Sequence, residues 1–344
     1  MGWRGTVRGA VAGLLALGLM VPPPAGAAPV TVGAAAFVEA YPTVAAAMRA
    51  AGAPYADWVA AGRTFLAFDP YGDGLAVEVL GDLGTADRIA VLVPGVDSTL
   101  RNFDRGLGGV RRRAPAAQAR ALYDELHAAR PDARVAVLAW LGYDPPNGIG
   151  RAAARSETAR SGADALVELT RTLARHRPDA TVTLIGHSYG ALVVGLAAPG
   201  LPPQVTDLVT VAGIGMGVDR AADLGSAARV WAAESPDDWI RRLPPVRLLG
   251  FGHGVRPASP EFGARPLPVT GVAGHDGYLV PGSTTLRATA SVVLGIPERT
   301  NDRSVLGSPG PADDQSVLGS PESAGERTAP GVPGSAGERV EAAR

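Results

Sequence analysis

The chain alternates short, almost wholly apolar runs with longer stretches of helical periodicity, and few architectures accommodate that alternation. The runs are Arg88–Val93, Val135–Trp140, Thr181–Ile185, Val205–Val211, Ala228–Ala232 and Leu267–Val272. Around them lie Ala116–Ala129, Ser156–His176, Tyr189–Ala198 and Thr284–Leu294, whose patterns predict helices. A run apolar at every position is a strand buried on both faces, and such strands are joined by crossover helices into a parallel sheet. The expected fold class is α/β, a mostly parallel central sheet with helices on both faces. Thr64–Phe68 and Leu75–Leu80 flank the turn Asp69-Pro70-Tyr71-Gly72-Asp73-Gly74 and predict an antiparallel hairpin at one edge. Two aspartates in that turn raise the question of calcium, but no series of acidic ligands follows, so a plain turn is the reading. Ala34 to Arg63, rich in Ala with Phe37, Tyr41, Tyr55 and Trp58, predicts one or two helices. Ligands of open parallel sheets bind beyond the carboxyl ends of the strands, so reactive residues are sought there.

One such end carries Gly186-His187-Ser188-Tyr189-Gly190, a match to G-x-S-x-G. Gly occupies 45 of 344 positions, so the motif alone is weak. Its context is stronger: Thr181–Ile185 reads as a buried strand and Ala191–Val194 as an apolar helix start, the setting in which a strained turn lifts a serine hydroxyl out of a sheet. A serine hydroxyl needs a base. On this kind of turn the chain order is serine, acid, histidine. Of five His, His127 and His176 lie near helix ends, and His187 adjoins the nucleophile on the wrong side of its turn. His275, in Gly274-His275-Asp276 after the last expected strand, is the expected base, with His253 in reserve. The acid is expected after the Ala228–Ala232 strand. Asp238 is chosen because it precedes Trp239-Ile240 as a helix start would; Asp237 comes second and Asp219 third, and a plain helix N-cap is the competing reading. Two backbone N–H groups should receive the developing oxyanion. Tyr189 supplies one and Val96, after Val91-Leu92-Val93, the other, with Gly95 keeping that loop close to Ser188.

Composition removes competing chemistries. The chain has no Cys, which excludes thiol nucleophiles, thiolate metal sites and disulfides. It has no Lys, which excludes Schiff-base chemistry and lysine-bearing phosphate loops. No metal or organic cofactor is expected. The net charge of −1 makes no case for nucleic acid or an anionic membrane surface.

At these residues the chain resembles the α/β-hydrolase superfamily, and more narrowly a little-characterised branch found in high-GC Gram-positive bacteria. The resemblance rests on Leu66-Ala67-Phe68-Asp69-Pro70, Val93-Pro94-Gly95, Trp140-Leu141-Gly142-Tyr143, GHSYG, Ser259–Ala264 and Gly274-His275, and covers Ala61 to Gly295. It implies the fold, Ser188, His275 and hydrolase chemistry, and no substrate. Pro94 replaces the usual oxyanion-loop His, which leaves the geometry of that loop open.

The two ends read differently. Arg4 and Arg8, the apolar run Ala10–Val21, Pro22–Pro24 and Ala25-Gly26-Ala27 predict a signal peptide over 1–27, cleaved near Ala27. The run is shorter than the roughly 20 apolar residues of a membrane span, so a secreted or envelope-associated protein is expected rather than an anchored one. A helical segment over 28–62 and a hydrolase domain over 63–296 follow. The tail, 297–344, repeats SVLGSP and SAGER, lacks aromatics and is expected to be disordered. The expected function is hydrolysis of an ester or related acyl bond in a small-molecule or lipid-like substrate, with Leu243, Leu248, Leu249 and Phe251 as a candidate apolar roof. Acyl transfer by the same residues is one alternative. An inactive hydrolase fold that only binds is another.

Overall fold

The computed structural model describes residues 37–242 and 252–296. The expected signal peptide, the start of the helical segment, the tail and the four apolar residues of the candidate roof lie outside the described residues.

The chain opens with helices α1 (Phe37–Ala50) and α2 (Tyr55–Ala60). Strands β1 (Thr64–Asp69), β2 (Leu75–Gly81), β3 (Arg88–Val93) and β4 (Val135–Leu141) follow, with α3 (Pro115–Ala129) between the last two. Then come α4 (Arg151–Ala154), α5 (Glu157–His176), β5 (Thr181–His187), α6 (Gly190–Ala197), β6 (Val205–Val211), β7 (Arg229–Ala233), β8 (Arg265–Pro266) and α7 (Thr284–Leu294). Among the described residues the strands form one sheet in the order β1-β2-β4-β3-β5-β6-β7-β8. β2 runs antiparallel to both β1 and β4, and every other pairing is parallel. The fold is that expected: a mostly parallel sheet with an antiparallel edge.

Strand geometry sends alternate side chains to opposite faces, and two cores result. Val91 and Val93 of β3 pack with Leu138, Leu184 and the Leu166, Leu173 and Leu192 side chains of α5 and α6. Ala90 and Leu92 face the other way, toward Leu122 and Leu126 of α3, Leu286 and Val293 of α7, and Val44 and Met48 of α1. Every residue of β4 is buried, which is why its sequence shows no polar alternation.

One strand departs from expectation. Leu267–Val272 is not a strand: β8 is only Arg265–Pro266, and after Leu267 N donates to Ala232 O at 2.8 Å the ladder stops. Pro266 and Pro268 lack the N–H a ladder needs, so the apolar run turns away, with Val272 N donating back to Val269 O at 3.1 Å. β3 lies between β4 and β5, so the connections leaving it and returning cross to opposite sides. The crevice beyond the carboxyl ends of β3 and β5 is therefore where such a sheet opens to a ligand.

Candidate active site

β5 ends at His187, and Ser188 follows with φ +55°, a left-handed conformation that costs a non-glycine residue about 1–2 kcal/mol. The other described non-glycine residues with positive φ, Asp97 and Ala212, follow β3 and β6, so backbone strain gathers at the carboxyl ends of neighbouring strands. Glycine is needed around the turn for close approach. A Cβ on Gly190 would lie 2.2 Å from Val93 O, and one on Gly95 would lie 2.9 Å from Ser188 Cβ. The Ser188 hydroxyl lines a cavity of about 320 Å³ and has no hydrogen-bond partner among the described residues.

His275 lines the same cavity. Its Nδ1 lies 2.9 Å and 3.1 Å from the two carboxylate oxygens of Asp238. A carboxylate only accepts, so Nδ1 carries the proton, and in the neutral ring Nε2 is left as the acceptor. Asp238 is buried. It also accepts from Ile240 N at 2.9 Å and from the Tyr278 hydroxyl at 2.7 Å. Burial pushes this carboxyl up. The bonds from His275, Tyr278 and Ile240, and the charge on His275, outweigh that and hold it below the usual carboxylate range. Asp238 thus caps the short turn that starts at Trp239 and reaches the His275 ring as well, so one side chain makes both contacts. Asp237 is exposed, and neither it nor Asp219 lines the cavity.

The remaining expected positions fall as follows. Val96 lines the cavity, and Tyr189 directly follows Ser188. Neither backbone N–H donates to another group among the described residues, which leaves both free for a ligand. The loop bearing Val96 is fastened by Tyr143 Oη donating to Pro94 O at 2.6 Å, Asn102 Nδ2 to Asp97 O at 2.6 Å, Gly148 N to the Asp97 carboxylate at 2.6 Å and Asp97 N to Pro146 O at 3.0 Å. Tyr143 and Asn102 thus help to fix the loop geometry that Pro94 left open. His253 is elsewhere. It is buried, its Nε2 donates to Ala153 O at 2.7 Å, and burial lowers its pKa.

Three neighbours of His275 were not anticipated. Trp239 lies against its ring, centroids 4.7 Å apart. Asp276, the next residue, pairs with Arg113 at 2.7 Å. His187, set aside as a base, lines the cavity with its ring 5.0 Å from that of His275 and donates from Nε2 to His275 O at 2.9 Å. Burial, then the charge on His275, lowers its pKa to about 4, so it stays neutral near pH 7. Pairs 88 and 163 residues apart leave no local pattern in the chain. Among the described residues no cluster of three or more His, Asp or Glu could hold a metal ion, and no helix is long and apolar enough to cross a membrane.

A sequence model of an alpha/beta hydrolase family matches residues 69–248, just over half of the chain. The chain belongs to the alpha/beta hydrolases. The matched residues include Ser188 and Asp238 and end before His275. Among relatives of this hydrolase, an uncharacterised protein of Mycobacterium tuberculosis (strain H37Rv) is 30% identical over 227 residues, covering 64% of this chain and 74% of its own. A second uncharacterised protein of that strain is 28% identical over 266 residues, covering 67% of this chain and 39% of its own. Both come from a high-GC Gram-positive genus, the group the resemblance pointed to. Among solved structures, a lidless serine hydrolase from Xanthomonas campestris is similar at 16% identity and a TM-score of 0.37, covering 66% of this chain and 90% of that one. Trichoderma reesei cutinase bound to a phosphonate inhibitor is similar at 15% identity and a TM-score of 0.35, covering 61% and 75%.

Proposed function

We propose that this hydrolase is an exported serine esterase that cleaves an ester or related acyl bond through an acyl-enzyme on Ser188. The observation that carries the reading is one cavity holding both a serine on a left-handed turn and a histidine whose Nδ1 is bonded to a buried carboxylate. Ser188 Oγ attacks the acyl carbon while its proton passes to His275 Nε2, a hydrogen bond that forms as the substrate closes the gap. Asp238 holds the imidazole in the required tautomer and stabilises its cation. The carbonyl oxygen, now negative, is received by the N–H groups of Val96 and Tyr189. The tetrahedral intermediate expels the leaving alcohol, which takes the proton from His275. Water then gives a proton to His275 and adds to the acyl carbon, and Ser188 leaves with the proton returned. A cavity of about 320 Å³ suits a small or single-chain acyl group. Export rests on the amino-terminal sequence pattern.

The test is labelling with a fluorophosphonate, with the adduct located by mass spectrometry. A stable adduct on Ser188, absent in Ser188→Ala and at least a hundredfold slower in His275→Gln, is the expected result. Folded protein that takes no label would overturn the assignment.

A further inference from the structure

Among the described residues three large apolar side chains are exposed, Tyr71, Leu107 and Ile149, and the last two line the mouth of the Ser188 cavity, 41% and 66% exposed. Leu107 sits on the long connection between β3 and α3. Over residues 97–113 that connection carries Arg101, Arg105, Arg111, Arg112 and Arg113 against Asp97 and Asp104, a local charge of +3 in a chain whose total is −1. The acids are already engaged. Asp104 is held by Arg63 at 2.9 Å and by Arg120, Asp276 takes Arg113, and Asp97 accepts from Gly148 N. Arg101, Arg105, Arg111 and Arg112 are exposed and make no ion pair among the described residues.

The display is fixed rather than loose. Leu100 and Phe103 are buried beneath it, Gln118 Nε2 donates to Arg112 O at 2.8 Å, and the turn at Gly106 has φ +80°, with no room for a Cβ. We propose that this mouth docks on an anionic lipid surface, with Leu107 and Ile149 entering the acyl layer while the four unpaired arginines meet the headgroups. Apolar prongs set beside cationic side chains match an interface that is apolar within and anionic outside. A nucleic-acid backbone would use the charges and leave the prongs in water. The step from docking to function rests on the esterase reading: the ester substrate would be drawn from that surface into the cavity behind the prongs.

The test is co-sedimentation of the full chain with vesicles of phosphatidylcholine alone and of phosphatidylcholine mixed with phosphatidylglycerol. Any pull from the apolar amino-terminal run is common to all variants and cancels in their comparison. The expected result is a preference for the mixed vesicles that weakens with salt. R111Q/R112Q should lower it about 25-fold, at about 1 kcal/mol for each arginine near a charged surface. L107S/I149S should lower binding about tenfold through lost apolar burial. Equal binding by the unaltered chain and both variants, or no preference for the anionic lipid, would overturn the proposal. So would retention on a soluble polyanion with no binding to vesicles, since the patch would then serve another partner. Turnover of a short water-soluble ester by the unaltered chain is measured alongside. Its absence would sink the esterase reading and leave the docking result standing.

Discussion

The two halves of the site are built by different means. On the side of Ser188, the proposed nucleophile, position is set by backbone: a buried strand runs into a left-handed residue and then a helix, and glycines let the pieces touch. On the other side, Asp238 and His275, the proposed acid and base, sit on loops, and side-chain bonds position them: His275 and Tyr278 on Asp238, the Tyr278 hydroxyl accepting from Ser235 N at 2.7 Å, and His187 on the His275 carbonyl. The first half stores strain in an over-determined turn. The second stores little strain and depends on a network in which each member satisfies its neighbour. A packing error should therefore be costly on one side, and a lost hydrogen bond on the other.

The largest effect should come from the proposed acid. Asp238→Asn should keep the fold and substrate affinity but lower kcat by roughly a thousandfold to ten-thousandfold, because the histidine tautomer is no longer enforced. Steady-state kinetics would check this, and a loss under tenfold would remove Asp238 from the mechanism. On the nucleophile side, Gly190→Ala drives a Cβ to 2.2 Å from Val93 O, and urea unfolding should show a loss of about 3 kcal/mol. Gly274→Ala is its control on the base side: φ is +62° but the space is open, so about 1 kcal/mol is expected. Equal losses would erase the contrast between the halves.

A further effect concerns pH. The pKa of His187 falls from 6.5 in the unfolded chain to about 4 in the fold, so the unfolded chain binds more protons between those values. Its contribution to stability is whole above about pH 6.5, is lost as pH falls, and is gone below about 4. His187→Asn should therefore lose about 3 kcal/mol less than the unaltered protein between pH 7 and pH 4, measured by denaturant titration. A modest effect is expected of Tyr278→Phe, which leaves Ser235 N and one Asp238 oxygen short of a partner. About 1–2 kcal/mol of stability and roughly a tenfold fall in kcat should follow.

The same contrast explains how much was legible in the chain. The elbow is written locally, because a buried strand, a G-x-S-x-G turn and an apolar helix start are consecutive, and the parallel sheet follows from runs such as Val135–Trp140 that have no polar alternation. The base side is not. Leu267–Val272 has the composition of a strand, and only the prolines on either side of Leu267 tell against it. Asp237 and Asp238 are neighbours of one type, separated by which one faces inward to Ile240 and His275. The partners of Asp238, Asp276 and the His275 carbonyl come from distant segments brought together only once the sheet is assembled.

The brevity of β8 has a consequence for how copies of this chain behave in a crowd. A long open strand at a sheet margin is a template on which another polypeptide can add its own strand. Here that margin is a two-residue rung whose second residue, Pro266, has no amide hydrogen to give, and whose first, Arg265, carries a positive charge that identical copies repel. The same proline that cuts the strand short before the histidine loop also denies a growing fibril its first row at this margin.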